Sequence, residues 1–100
     1  MTREEALARH KQLEEFKGLA PGGGSNYTRS WLKQIESEFA WELETDEHLS
    51  RKVREACHYL EIWLSPRRWQ RHDLEVLKGA IANDVRMVRR LIDRKYPENY

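Results

Sequence analysis

Hydrophobic positions recur along this chain every three to four residues, the spacing of helices that each bury one face. Thr2 followed by Glu5 makes a capping box, in which hydroxyl and carboxylate satisfy each other's backbone donors. A first helix is predicted over about 3–17, with Ala6, His10, Leu13 and Phe16 on one side and Gly18 at its end. The run Pro21-Gly22-Gly23-Gly24-Ser25 has no helical reading and predicts a hinge or an exposed loop. Ser25 or Asn26 caps a second helix reaching about residue 44. Tyr27, Trp31, Leu32, Ile35, Phe39 and Leu43 share one side of it when each residue turns about 100°. Thr45-Asp46 breaks the pattern, and Asp46 caps a third helix through Leu64 with the stripe Leu49, Val53, Ala56, Cys57, Leu60, Trp63 and Leu64. Pro66 restarts the chain, since its missing N–H has no helical partner at a first position anyway. A basic turn, Arg67-Arg68-Trp69-Gln70-Arg71, leads into a last helical stretch over about 72–95, stopped by Pro97.

No segment alternates with period two and no β-branched run appears, so the expected fold class is all-α. The chain is expected to form a small bundle of four to five helices as a single domain, 1–100. Within it, 1–18 is a loosely tethered N-terminal helix, 19–25 a mobile Gly-rich loop and 26–96 the helical core. The count depends on whether Asn83-Asp84 splits the last stretch. If it does not, Leu74, Leu77, Ile81, Val85, Val88 and Ile92 form one apolar stripe, and Val76, Ala80 and Met87 form a second on nearly the opposite side. A helix apolar on two sides is central to its bundle or lies at an interface. Trp41 also strays from its helix's main stripe, so Trp41, Val76 and Met87 are candidate apolar contacts, with a homodimer among the possibilities. Residues 80–92 resemble the second half of an ankyrin repeat, one residue short at the turn and without a second copy, so no repeat architecture is expected.

Composition narrows the functions. The hydrophobic class makes up 39% of the chain and includes four Trp, too many bulky apolar residues for wholesale disorder. No apolar run approaches the roughly 18 residues of a membrane span, so no membrane partner is expected. The polar start, Met1-Thr2-Arg3-Glu4-Glu5, matches neither a secretory signal nor a transit peptide. Cys57 is the single cysteine, which rules out an internal disulfide and suits a reducing, cytoplasmic setting.

Candidate chemistry is sparse. Cys57, His58 and His72 are the soft ligands nearest one another, with His10 and His48 elsewhere. Neighbours on a helix diverge by about 100°, so Cys57 and His58 cannot join one tetrahedral site, and no metal or other cofactor is expected. Cys57 lies on the apolar stripe, where a thiol is a small core hydrophobe rather than an activated nucleophile. The three glycines lack the strand and the Lys-Ser/Thr pair of a phosphate-binding loop. No enzyme activity is expected.

Charge is the informative feature. The overall balance of +1 conceals residues 34–65, with eight acids against three bases, and residues 66–95, with nine bases against four acids. The candidate acidic face is Glu36, Glu38, Glu42, Glu44, Asp46 and Glu47. The candidate basic face is Arg67, Arg68, Trp69, Arg71, Arg86, Arg89 and Arg90. Arginine forks grip phosphates or carboxylates, and a tryptophan among them can stack on a base. Three readings stay open: the arginines neutralise the protein's own acidic helices, dock an acidic protein surface, or bind nucleic acid. A helix-turn-helix does not fit, because Glu75 and Lys78 occupy positions around Gly79 that need a small and an apolar residue.

The pairing of an acidic run at 36–47 with a basic run at 67–95 makes the whole chain similar to small inhibitors made by bacterial viruses, the anti-CRISPR proteins among them. That resemblance implies a compact, non-enzymatic protein that occupies the surface of a host protein or ribonucleoprotein complex. The expected function is therefore a non-catalytic inhibitor or regulator that blocks nucleic-acid access, its acidic helices taking the place of phosphates. The alternative is a nucleic-acid-binding regulatory module using 67–95.

Overall fold

The computed structural model describes residues 1–40 and 47–98, without the Arg71 side chain. Among the described residues four α-helices follow one another: α1 Arg3–Lys17, α2 Asn26–Ala40, α3 Glu47–Leu64 and α4 Leu74–Lys95, with a 3-10 turn at Arg68–Arg71 before α4. No strand occurs among the described residues. The capping box forms as its residues dictate: Thr2 Oγ1 accepts from Glu5 N at 3.1 Å and Glu5 Oε1 from Thr2 N at 3.3 Å. Ser25 Oγ accepts from Thr28 N at 3.2 Å and starts α2. At α4 the cap is Asp73, whose Oδ1 accepts from Glu75 N at 2.9 Å and Val76 N at 3.2 Å. Asn83-Asp84 does not break α4, which runs unbroken for 22 residues because neither residue is needed as a cap there. The expected end of α2 near 44, the break at Thr45-Asp46 and Leu43 lie outside the described residues.

α3 sits at the centre. Leu49, Val53, Ala56, Cys57, Leu60 and Leu64 are buried, as the stripe predicts, and α3 touches α1, α2, α4 and the 3-10 turn. α2 contributes Leu32, Ile35 and Phe39, and α4 contributes Leu77, Ile81, Val85, Val88 and Ile92. One correction concerns α2. Tyr27, expected on the buried side, is 70% exposed, and Trp31 is half-buried. Thr28 takes the inward position instead, so the buried stripe begins one residue later. Tyr27 and Trp31 stack edge to face on the surface, with centroids 6.1 Å apart.

The glycine loop and α1 differ from the loose tether expected of three glycines. Gly22 N donates to Trp63 O at 2.8 Å and Gly24 N to Leu64 O at 2.9 Å, so the loop supplies donors to carbonyls at the end of α3. Trp63 Nε1 returns a hydrogen bond to Leu19 O at 2.9 Å. The glycines are there for close approach. Gly22 has φ +75°, and a Cβ on it would meet Trp69 Nε1 at 2.6 Å; one on Gly24 would meet Leu64 Cβ at 2.6 Å. α1 is docked as well. Ala6 and Leu13 are fully buried, and the Nε2 of buried His10 lies 3.1 Å from Val85 O of α4. Burial holds His10 below its ordinary pKa, so the neutral ring donates this bond. Arg3 hydrogen-bonds the Tyr96 carbonyl and pairs with Asp93 at 2.8 Å, fixing the start of α1 to the end of α4.

Glycine-to-alanine substitutions at two positions should change stability in opposite directions. Gly24→Ala forces Leu64 or the loop to move and should cost about 1–3 kcal/mol, the usual range for overpacking. Gly79→Ala, inside α4 with nothing within 4 Å of the new methyl, should gain up to about 1 kcal/mol. Thermal unfolding followed by circular dichroism measures both. A Gly24→Ala protein as stable as wild type would show that the loop does not need this approach.

Candidate functional site

The described acidic residues, Glu36, Glu38 and Glu47, each lie within 4 Å of one of the protein's own cations. Glu38 receives Arg9 Nε at 2.7 Å and Gln34 Nε2 at 3.1 Å, and the Arg9 hydrogen bond holds its carboxyl below the ordinary range. Glu36 lies 3.8 Å from Arg54 Nε, and Glu47 pairs with Arg51 at 3.0 Å one turn on. Glu42, Glu44 and Asp46 lie outside the described residues, as does Trp41. Exposed pairs of this kind contribute about 0–1 kcal/mol each to stability. Their larger consequence is that the described part of the acidic face is not a bare negative surface.

The basic residues split into two groups. Arg67, Arg68 and Trp69 sit beside the C-terminal end of α3, and Arg71 ends the same 3-10 turn, its side chain outside the described residues. Arg68 Nη1 is 3.9 Å from Glu61, and Arg67 is exposed without an ion pair among the described residues. Trp69 is half-buried with its ring over Gly22, so it serves as packing for the loop rather than as a free stacking platform. Arg86 begins the second group, twelve residues along α4 from Leu74 and thus about 18 Å of helix away. The sequence run 67–95 is therefore not one continuous face.

In this second group Arg89 pairs with Asp93 at 3.1 Å, and Arg86 donates to the Asn83 amide oxygen at 3.1 Å. Arg90 and Arg94 are exposed and have no ion pair among the described residues. Arg86, Arg90 and Arg94 recur at every fourth position, forming a stripe that drifts by about 40° per step toward α3. Val76 (69% exposed) and the half-buried Ala80 and Met87 run along the same side of α4. The second apolar stripe of the sequence is thus exposed at Val76 and half-covered at Ala80 and Met87, with arginines at its C-terminal end.

Beside that stripe α3 and α4 leave a groove of about 300 Å³. Met87 and Leu91 from α4 form its apolar floor, Arg94 stands at one side, and His48, Arg51, Lys52 and Glu55 of α3 form the other. Periodicity did not single out this α3 edge. Its residues are polar and flank the buried stripe, and only the placement of α4 makes them one wall of a groove. Lys52 Nζ lies 3.0 Å from Glu55 and 3.6 Å from Asp84. Asp84 is almost wholly buried, and its Oδ2 has no hydrogen-bond partner among the described residues. Burial pushes its carboxyl above the ordinary carboxylate range, the Glu55 charge adds to this, and Lys52 offsets only part.

Among the described residues no group of three or more His, Cys, Asp or Glu side chains could hold a metal ion. The Cys57 thiol is buried, and its pKa is pushed up to about 12, so it stays protonated at neutral pH. No helix is long and apolar enough to cross a membrane. No protein-family model, curated protein or solved structure matches the chain.

The raised pKa of Asp84 has a direct stability consequence. The folded protein binds this proton more tightly than the unfolded chain, so the site favours folding in acid and loses that contribution as pH rises through the folded pKa. Asp84→Asn should therefore be more stable than wild type at pH 7, with the difference shrinking toward the ordinary Asp value of 3.8. Urea unfolding across this range checks it; a difference that grows toward acid would contradict the sign.

Proposed function

We propose that this chain is a non-catalytic binding protein, an inhibitor or regulator that docks on a host protein or ribonucleoprotein and blocks what that surface otherwise engages. The resemblance to anti-CRISPR inhibitors suggests the class, and the separation of charge supports it. Glu38 is held in a half-buried pair with Arg9, whereas Arg86, Arg90 and Arg94 stand together on α4 without a described carboxylate partner. That contrast is the observation that carries the reading. It moves the docking surface from the acidic helices to the outward side of α4, and the fitting partner surface is acidic.

An acidic protein surface suits this side better than nucleic acid does. The stripe carries apolar Val76 and Met87, for which a phosphate backbone has no counterpart. The one tryptophan among the arginines of the sequence is committed to packing over Gly22. An overall charge of +1 also falls short of the large positive excess of a dedicated nucleic-acid binder.

Calorimetric titration with polyglutamate and with a DNA duplex, at several salt concentrations, tests the reading. Polyglutamate should bind in a salt-dependent way. The triple variant Arg86→Glu/Arg90→Glu/Arg94→Glu should weaken it at least about tenfold, while Glu36→Lys/Glu38→Lys should not. Tighter binding of the duplex than of polyglutamate, or loss of binding in Glu36→Lys/Glu38→Lys, would contradict it.

A further inference from the structure

We infer that the groove between the N-terminal half of α3 and the C-terminal half of α4 is the specificity pocket of this surface, and that its occupant is an acidic amphipathic helical segment of a partner protein. The inference rests on the reading of α4 as the docking side and adds a site and a ligand class to it.

The groove has an ordered arrangement of charge. On the α3 wall Arg51 is 55% exposed and shares its charge only with Glu47, itself 70% exposed, a pair that solvent screens and that opens at little cost. Next to it Lys52 is held by Glu55 and the buried Asp84, so the middle of this wall is close to neutral. The floor is Met87 and Leu91. Beyond the floor stand Arg94 and then Arg90, without described acid partners. Across the groove the order is cation, neutral middle, apolar floor, cations.

A ligand matching that order has an apolar side chain flanked by carboxylates, which is what an amphipathic helix with Leu at three- and four-residue spacing and Glu on both flanks presents. A volume of about 300 Å³ suits one anchoring side chain or two rather than a large cofactor. Met is a natural floor for such an anchor, since its thioether adapts to different apolar shapes. A phosphate chain fits less well: it brings no apolar anchor, and Glu55 would face it across the groove. A second copy of α4 brings the same arginines, and the carboxylate nearest to them, Asp93, is already paired with Arg3 and Arg89.

Glu55 and Asp84 give the middle of the wall its selectivity. They hold the Lys52 ammonium back, so carboxylates on the ligand are drawn to the two edges, where Arg51 and Arg94 stand, and the centre is left for the apolar anchor. Uniformly acidic ligands lack that anchor and are bound by charge alone.

Fluorescence anisotropy tests the inference with a fluorescein-labelled helical peptide carrying Leu at three- and four-residue spacing and Glu elsewhere. Its comparators are polyglutamate and oligo-dT of equal charge. The peptide should bind about tenfold or more tighter than polyglutamate, the size of effect expected of a buried apolar anchor. Met87→Glu and Arg94→Glu should each remove about that advantage, while Arg67→Glu, at the other end of α3, should leave it. Met87→Gln, neutral and at a half-buried position, serves in case the charged variant unfolds, and should also weaken the peptide selectively.

If the peptide binds no tighter than polyglutamate, or Arg67→Glu weakens it as much as Arg94→Glu, the groove inference falls and the acidic-partner reading stands. If neither peptide nor polyglutamate binds, or oligo-dT binds tightest, both fall. A mass by light scattering that doubles with concentration and reverts in Met87→Glu would make a second copy the occupant and overturn the inference.

Discussion

α3 touches every other described element of the bundle, with α1 resting mainly on α4. In 18 residues α3 buries faces against α1, α2, α4 and the 3-10 turn, and its C-terminal end is closed by parts of the chain that come unusually near. The backbone donors of Gly22 and Gly24 reach the Trp63 and Leu64 carbonyls, and Trp69 closes over Gly22 from the other side. Without a Cβ at either glycine the loop can lie on the helix end. The loop, the basic turn and the start of α4 are thereby gathered at one end of the molecule.

α4 runs antiparallel to α3, bringing Arg94 beside Arg51 and Lys52. Charge is sorted by the same packing. α2 lies near α1 and α3, which places Arg9 and Arg54 against Glu38 and Glu36. α4 has α1 and α3 on its buried sides, and the carboxylates on its outward side are few, so its arginines face solvent. The functional proposal follows from this sorting of charge rather than from the net charge.

Much of the fold was legible because helices declare themselves locally. Thr2 with Glu5, Ser25 before Thr28, and the stripe from Leu49 to Leu64 need only neighbouring residues to be read, and all three hold. The features that local pattern does not reveal depend on distant partners. Three glycines look like a flexible tether until Leu64 and Trp69 are placed against them. Tyr27 fits the apolar side of α2 by angle, yet it lies at the first turn, beyond the reach of the core, and Thr28 is buried in its stead. The basic run reads as continuous on paper, but the rise of α4 separates its two halves. Among the candidate site residues, Arg86, Arg90, Val76 and Met87 belong to one surface, as a helical wheel can show. The α3 edge at His48, Arg51 and Lys52 was invisible because nothing in its own segment marks which helix it faces.

The central claim is that the outward side of α4, with the neighbouring edge of α3, is where this protein meets its partner. Amide chemical-shift mapping with an acidic amphipathic peptide tests this most directly, because it locates the contact without altering the protein. The largest shifts should fall at residues 48–55 and 83–94. Shifts concentrated instead around Tyr27 and Trp31, or on Glu36 and Glu38, would place the contact on the opposite side and contradict the claim.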